Sequence, residues 1–241
     1  MIGVSFGDWH SYNQGGLILV DDDIGYPEQK NMSVRRSVSA QPNQIEYSNR
    51  KLSFTFRIPR KRHWQDYYDR VSANVNGKLL EIVRDIEPGI AYIGICSVGS
   101  VSSAGQNGEI KVDVDAQPFK LGRRVTQQLS MVESGVLTNI GTQIAPCVVN
   151  IVPTTSLTEL VISGLARNPI DGIGEEITLY APRDGETIVI DGENKTVKVN
   201  GSNAFSEVEL WEFPTLEPGA NSVTLSSAYC NMTVTYRPRY I

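Results

Sequence analysis

The sequence is poor in the residues that build metal sites, disulfide frameworks and proton-transfer machinery. Its 241 residues include three cysteines, Cys96, Cys147 and Cys230, and two histidines, His10 and His63. A sparse and odd set of cysteines does not form a disulfide framework, and no Cys-x-x-Cys pair provides half of a zinc site. We therefore expect three buried thiols, no metal centre and no cofactor.

Long hydrophobic runs are also missing. No stretch of about 18 apolar residues, the length that a membrane helix needs, occurs in the chain. Residues 1–8 contain no basic stretch and no apolar segment, so we expect no signal peptide. The protein is therefore expected to avoid membrane insertion and to be made and assembled in a cytoplasm. The length allows one or two domains with hydrophobic cores of their own.

The sequence lacks a recognisable catalytic motif. Neither histidine lies near a serine in a Gly-x-Ser-x-Gly setting, so nucleophilic catalysis has no visible base. Glu207 and Glu209 would share one strand face, as a glycosidase pair can, but paired glutamates are common on exposed faces. The run 21–23, three aspartates, lacks the spacing of an EF-hand and is predicted to be a solvated turn after a strand over 16–20. We therefore expect that the protein is not an enzyme.

Charge is divided unequally along the chain. Residues 1–120 carry 14 Lys+Arg and 14 Asp+Glu, which sum to zero. Residues 121–241 carry 8 Lys+Arg and 13 Asp+Glu, so 8 − 13 gives the whole net charge of −5. This asymmetry predicts two units with different surfaces. It argues against general binding of nucleic acid, which needs a basic face.

Most of the chain alternates between apolar and polar residues. Within 231–236, Met232, Val234 and Tyr236 share one face, which is the two-residue period of a β-strand, and residues 52–58 alternate in the same way. Short strands separated by tight turns are typical of sandwiches and barrels. Asn-Gly and Asp-Gly pairs, which favour such turns, begin at residues 76, 107, 171, 184, 191 and 200.

One segment has a helical period instead. Between Arg62 and Val75 the apolar and aromatic residues follow one another at steps of three, one, three and four, which places them on one helical face. They are Trp64, Tyr67, Tyr68, Val71 and Val75. The pair Asn76-Gly77 favours a helix end, so the sequence predicts one α-helix. A domain boundary is predicted near 118–125, where the alternating pattern pauses.

The strongest basic cluster lies just before this helix. Arg57, Arg60, Lys61 and Arg62 place positive charge where the helix dipole disfavours it, so these residues need a partner. Two interpretations stay open: a loop exposed to water, and a contact with another subunit or a tube that also involves Trp64. Phosphate binding is disfavoured because no glycine-rich cradle accompanies the cluster.

Trp211 also has two interpretations. Tryptophans are mostly core or sheet-face residues. In a sandwich module, however, Trp211 could serve as a platform on which a sugar stacks.

Several motifs in the first half resemble the distal tail proteins of siphophages. The opening carries SFGDWHSY at 5–12 and GLIL at 16–19. The strand over 52–58, the helix with Trp64, and NGK at 76–78 continue the resemblance. They are followed by AYIG at 91–94 and QPFK at 117–120. One departure is YPEQKN at 26–31, where the family often has a glycine-rich turn.

The second half resembles the galectin-like C-terminal module of the same family. The motifs occur in the family's order and reach the end of the chain. They are NIGT at 139–142, VNGSN at 199–203, FPTLEPGAN at 213–221 and YRPRY at 236–240. The resemblance implies a mainly β fold with two domains. Residues 1–122 would form a β-sandwich or barrel-like domain with one α-helix, and 123–241 a galectin-like β-sandwich.

The resemblance also implies a function. Distal tail proteins form a homohexameric ring that joins the major tail tube protein to the tail-tip hub or tail-associated protein. DNA passes through the ring without specific binding, and no cofactor takes part. The expected location is the virion tail, after assembly in the host cytoplasm. Two alternatives stay open: a carbohydrate-binding accessory module for host-surface attachment that uses Trp211, and a hydrolase that uses Glu207 and Glu209.

Overall fold

The chain divides into two compact units, residues 1–121 with Ile241 and residues 122–240. The computed structural model describes residues 2–36, 39–59, 64–104, 107–168 and 172–241. For residues 30–36, 39–46, 100, 103, 104 and 107 it describes the backbone only. We call the two units the first and second domains.

The first domain contains ten strands and one helix among its described residues. In chain order they are β1 (Val4–Phe6), β2 (Trp9–His10), β3 (Ile18–Ile24), β4 (Gln29–Arg36), β5 (Ser39–Tyr47), β6 (Arg50–Ile58), α1 (Trp64–Val75), β7 (Leu79–Arg84), β8 (Ala91–Ala104), β9 (Asn107–Ala116) and β10 (Lys120–Leu121). The predicted helix is confirmed as α1, although residues 62 and 63 lie outside the described part of the chain.

One antiparallel sheet organises the first domain. Its strands follow the order β2-β1-β7-β8-β9-β6-β3. Period-two alternation turns one face of β6 inwards, and the inner face is covered by α1 through Val71 and Val75. Phe54 and Phe56 lie at the centre of this core. Because the inner face is covered, the outer face of the same sheet is left to solvent or to a partner.

The three aspartates at 21–23 lie within the edge strand β3, so the prediction of a solvated turn was wrong. Asp22 points inwards and pairs with Arg84, which also binds Glu87 at 2.8 Å. Burial alone would lower the pKa of Arg84, but hydrogen bonds to both carboxylates raise it. The pairing of β3 with β6 shifts register between Leu19 and Asp21, so Val20 forms a bulge in the edge strand.

Among its described residues, the second domain contains thirteen strands and one 3-10 helix. The strands are β11 (Val125–Ser130), β12 (Ser134–Asn139), β13 (Ala145–Pro153), β14 (Glu159–Arg167), β15 (Gly174–Tyr180), β16 (Ile188–Asp191), β17 (Thr196–Val199), β18 (Ser202–Asn203), β19 (Val208–Leu210), β20 (Thr215–Leu216), β21 (Gly219–Leu225), β22 (Cys230–Tyr236) and β23 (Arg239–Tyr240), with the 3-10 helix at Phe205–Glu207.

The strands of the second domain form two sheets around one core. One sheet has the order β11-β22-β13-β16-β17-β18 and the other β12-β21-β14-β15-β19. Met232, Val234 and Tyr236 are buried between the sheets, which confirms the face predicted for 231–236. Together with the first domain, this confirms the predicted mainly β fold. Cys96, Cys147 and Cys230 are buried and unpaired, as predicted.

The inner sheet surface is shaped locally by a glycine in β14. The register between β14 and β15 shifts between Ser163 and Ala166. Within that shift Gly164 has a φ of +93°, and a Cβ there would lie 2.1 Å from the carbonyl oxygen of Ser222. Only glycine allows both this backbone angle and this close approach of two strands.

Candidate interaction surfaces

The basic residues predicted before the helix do not form one described patch. Arg60, Lys61 and Arg62 lie outside the residues that the structure describes. Arg57 is exposed on the outer face of the sheet, since it alternates with buried neighbours along β6. Trp64 begins α1, the helix that covers the inner face, and its side chain is 43% exposed. A contact with another subunit or a tube that involves both residues therefore remains a prediction. Arg57 lies on β6 and Trp64 on α1.

Two aliphatic side chains stand opposite each other on the outer face of the first domain's sheet. Leu79 on β7 and Ile95 on β8 are cross-strand partners. They are 65% and 55% exposed. The same row continues through Asp115 on β9 to Lys51 on β6, which form an ion pair at 3.1 Å. Leu79 and Ile95 therefore form an exposed aliphatic pair on the outer face of the sheet.

Beside this pair lies an open groove with acidic walls. It has a volume of about 460 Å³ and runs over β8, β9, β6 and β3. Its charged residues are Asp23, Lys51, Lys111, Asp113 and Asp115. Both lysines are already paired, Lys51 with Asp115 and Lys111 with Asp113 at 3.2 Å. Asp23 and the adjoining Asp21 form no ion pair with a described residue, so the groove carries a net negative charge. We call it the acidic groove.

The strands β4 and β5 form a hairpin that is separate from the main sheet. They pair with each other from Gln29 with Tyr47 to Arg36 with Ser39. Among the described strands, neither pairs with any other. We call residues 29–47 the hairpin arm. A two-stranded hairpin on its own is at best marginally stable in water.

A buried arginine anchors the base of the arm. Arg50, only 1% exposed, donates hydrogen bonds to the carbonyl of Gly25 at 3.1 Å and to that of Pro118 at 3.2 Å. Its guanidinium lies 5.8 Å from the ring centre of Tyr26 and 5.7 Å from that of Tyr92. Burial lowers the pKa of Arg50, while the electrostatic influence of the two tyrosines opposes that change. The bonds join the chain entering the arm to the chain leaving it.

Two further contacts fix the same base. The rings of Tyr47 and Phe119 meet edge to face, with their centres 5.5 Å apart. The backbone amide of Glu28 donates to the Ser48 hydroxyl at 2.8 Å, and the Ser48 amide donates to the Glu28 carbonyl at 2.9 Å. These contacts hold the two ends of the arm together.

In the second domain, the most exposed aromatic residue follows β19. Trp211 is 80% exposed. On the neighbouring strand β15, the Tyr180 hydroxyl donates a hydrogen bond to Glu209, and this bond raises the pKa of Tyr180. The Ser163 hydroxyl donates to Glu176 at 3.1 Å. The solvent face near Trp211 thus offers an aromatic ring beside ordered hydrogen-bond acceptors.

Glu207 and Glu209 do not share one strand face, so that prediction was wrong. Glu207 belongs to the 3-10 helix and Glu209 to β19, so the two residues lie on different elements. Glu209 is engaged by Tyr180. Within the described part of the chain, no group of three or more His, Cys, Asp or Glu side chains is placed to hold a metal ion. No described helix is long and apolar enough to span a membrane.

The sequence had not pointed to the arm, its anchor or the acidic groove. Arg50 begins a strand and looks like one more charged residue, since burial of a single arginine leaves no pattern. Leu79 and Ile95 can be recognised as exposed only when it is known which face of each strand is buried. One signal could have identified Ile95. It is an apolar residue at an odd-numbered position of a strand whose buried residues, Tyr92 and Cys96, are even-numbered, so it lies on the opposite face.

Comparison with known proteins finds a family match in the second domain and a fold match over the whole chain. Residues 140–240 match the model of the siphovirus-type tail component, C-terminal domain. The whole chain superposes on all of the Dit protein of phage SPP1 with a TM-score of 0.77 at 11% sequence identity. That structure is described as a paradigm of the hub adsorption apparatus in phages that infect Gram-positive bacteria.

Weaker likenesses involve the baseplate of phage P2. Two structures of its activated conformation, with calcium and with strontium, give TM-scores of 0.48 and 0.45 at 9% and 8% identity. The matches cover 99% of this chain and 98% of the other for the first, and 98% of each for the second. Among curated proteins, no sequence matches this chain significantly. The match of residues 140–240 to the siphovirus-type tail component and the fold shared with SPP1 Dit confirm the resemblance to siphophage distal tail proteins.

Proposed function

We propose that this chain, which shares its fold with SPP1 Dit and carries a siphovirus tail-component domain at 140–240, is a distal tail protein that closes into a hexameric ring. The ring would join the tail tube to the tail-tip hub and leave a channel through which DNA passes. The observation that carries the proposal is the agreement of fold over the full length of both chains. The protein would act in the virion tail after assembly in the host cytoplasm.

The surfaces of the first domain fit a subunit of a ring. Leu79 and Ile95 are exposed, and the hairpin arm is unpaired with the main sheet. Such features are buried when copies associate, because exposed apolar residues and free strand edges favour association. Closed rings end this association at a finite size. Each interface should then bury more than roughly 1,000 Å² of surface.

The charge distribution is compatible with one domain forming the ring and the other lying outside it. The first half is neutral, so copies can meet without bulk repulsion. The second half carries −5, and six copies would carry 6 × −5 = −30. Like-charged domains prefer to be separated in solvent, which favours a position outside the annulus. We propose residues 1–122 as the ring-forming part and residues 123–241 as the outward module.

Electron microscopy and native mass spectrometry of the full chain test this proposal. We expect six-fold rings with a central opening and a mass of six chains. Mixing with the tail tube protein of the same phage should place the rings on the ends of tubes. A chain that remains monomeric both alone and in the presence of the tube protein would contradict the proposed ring.

A second candidate function is carbohydrate binding by the second domain. It is supported by the 80% exposure of Trp211 next to the ordered Glu176 and Glu209. Aromatic rings and hydrogen-bond acceptors together are what a sugar ring requires. A glycan array with the full chain and with Trp211→Ala tests it. Saturable binding that is lost in the variant supports the function, and equal signals from both chains contradict it.

A further inference from the structure

We infer that the side chain of Gln127 closes the free edge of β12 and so prevents the second domains of two copies from pairing strand to strand. The contact occupies, from within the chain, the place where a strand of a second copy would otherwise bind. It lies within the second domain, so it does not depend on the proposed ring.

The strand β12 is the outermost strand of its sheet. Among the described strands it pairs only with β21, in an unbroken register. An outermost strand presents a row of unpaired N–H and C=O groups, which is a template for a strand of another molecule. Along β12, alternate residues direct these groups away from β21, and Thr138 is one of them.

At Thr138 this edge is occupied by a carboxamide from the other sheet. The Nε2 of Gln127 donates to the carbonyl oxygen of Thr138 at 2.7 Å, and the backbone amide of Thr138 donates to the Oε1 of Gln127 at 2.9 Å. Two residues that face each other in a hydrogen-bonded antiparallel pair exchange the same two bonds. The Gln127 side chain therefore takes the place of a residue on a neighbouring strand.

A second side chain extends the closure by one step. The hydroxyl of Tyr236, on β22, donates to the same Thr138 carbonyl at 2.7 Å and accepts from the backbone amide of Ile140 at 3.2 Å. Ile140 lies two residues beyond Thr138, so its amide belongs to the same edge. The amide and carbonyl of Thr138 and the amide of Ile140 are thus all bonded within the chain.

The alternation of β11 places Gln127 for this contact. Gln127 lies between Val125 and Leu129 on the partly buried side of β11, and both of these neighbours pack against the core. Gly135 lets β11 and β12 approach, because a Cβ there would lie 2.3 Å from a methyl carbon of Leu129. A polar group at an inward position is costly unless it is hydrogen-bonded, and the backbone of β12 supplies both partners.

The strand itself carries none of the features that usually protect an edge. Edge strands are commonly protected by charged residues, prolines or bulges. β12 reads SGVLTN, without charge or proline, and its pairing with β21 shows no register shift. Val136 is 59% exposed on it. Without the side-chain contact, the β12 edges of two copies could pair about a two-fold axis.

Hydrogen exchange and the assembly state of the full chain test the role of Gln127. In Gln127→Ala the Thr138 amide should exchange about tenfold faster than in the wild type, because it loses its acceptor. Analytical ultracentrifugation should show that the variant forms pairs of whatever assembly the wild type forms, in a concentration-dependent manner. Gln128→Ala, at the exposed neighbouring position, is the matched control and should leave both measurements unchanged.

A second substitution tests whether this association runs through β12. Gln127→Ala with Val136→Lys places a charge on the opened edge, and lysines on edge strands oppose pairing. We expect the double variant to keep the fast exchange at Thr138 and to lose the additional association. Circular dichroism and thermal unfolding verify that each variant is folded.

Three results would overturn the closure of this edge by Gln127. A wild-type Thr138 amide that exchanges as fast as the amides of exposed loops would show that the edge is open, and this measurement needs no variant. A Gln127→Ala chain that associates no more than the wild type would show that the opened edge does not attract a second copy. Association that persists in the double variant would show that copies meet through another surface.

Discussion

The guanidinium of Arg50 and the carbonyl oxygen of Gly25 lie 3.1 Å apart and join the two ends of the hairpin arm. This bond belongs to a side chain that is 1% exposed and also binds the carbonyl of Pro118. Three segments that are distant in sequence are therefore held by one cation. No carboxylate forms an ion pair with Arg50 among the described residues, so the backbone supplies its hydrogen-bond acceptors.

Replacement of this arginine should destabilise the first domain. We expect Arg50→Met to lower the free energy of unfolding by about 3 kcal/mol, because buried carbonyls lose charged hydrogen-bond donors. Urea denaturation measures the change. Arg57→Met, an exposed position of the same strand, is the matched control and should change the stability by less than about 0.5 kcal/mol. Equal effects in both variants would refute the role of Arg50 as an anchor.

The buried hydroxyl of Tyr236 should stabilise the second domain. It donates to the carbonyl of Thr138 at 2.7 Å and accepts from the amide of Ile140 at 3.2 Å. Tyr236→Phe leaves both backbone groups without this partner and should cost about 1–2 kcal/mol. Thermal unfolding followed by circular dichroism measures it. Tyr229→Phe, at a position that is 58% exposed, should leave the melting temperature unchanged.

Gly164 should not tolerate a side chain. Gly164→Ala combines a positive φ with a Cβ placed 2.1 Å from the Ser222 carbonyl oxygen. We expect a loss of more than about 2 kcal/mol, since both strain and steric overlap act. Gly201→Ala is the control for strain alone, because Gly201 has a φ of +82° with nothing near its Cβ position. That variant should lose about 1 kcal/mol. If both losses are equal, the close approach of the strands contributes nothing.

Stability should fall in alkaline solution because of the buried thiols. Burial raises the pKa of Cys147 from 9.0 to about 12, so the folded protein holds this proton when the unfolded chain has released it. The contribution is complete below pH 9 and is lost as the pH rises towards 12. Urea titrations at increasing pH measure the decline, and Cys147→Ala should show a shallower slope. Identical slopes would show that this thiol does not couple to folding.

Much of the fold could be predicted because alternation reports burial directly. Met232, Val234 and Tyr236 were assigned to one face from sequence, and the core contains all three. The helix was found in the same way from its period. Trp64 is the exception on that stripe: it lies in the first turn, before the helix reaches the sheet, and is exposed.

The prediction failed where tertiary structure overrides local pattern. Three consecutive aspartates look like a turn, yet Asp22 is stabilised in a strand by Arg84, which is more than sixty residues away in sequence. The hairpin arm contains polar residues and no clear alternation, so its strands gave no signal. The groove exists because β8, β9, β6 and β3 are neighbours in the sheet. Such arrangements depend on the order of strands in the sheet, and no short stretch of the sequence reveals that order.

The bulge at Val20 has a consequence for how copies of this chain can meet. It kinks β3 beside Asp21 and Asp23, so the outermost margin of the main sheet is both bent and negatively charged. A bulge disfavours hydrogen bonding of a further strand along this edge, and the edge of a second copy would be repelled by its like charge. Side-by-side growth into fibres through the β3 edge is thereby disfavoured.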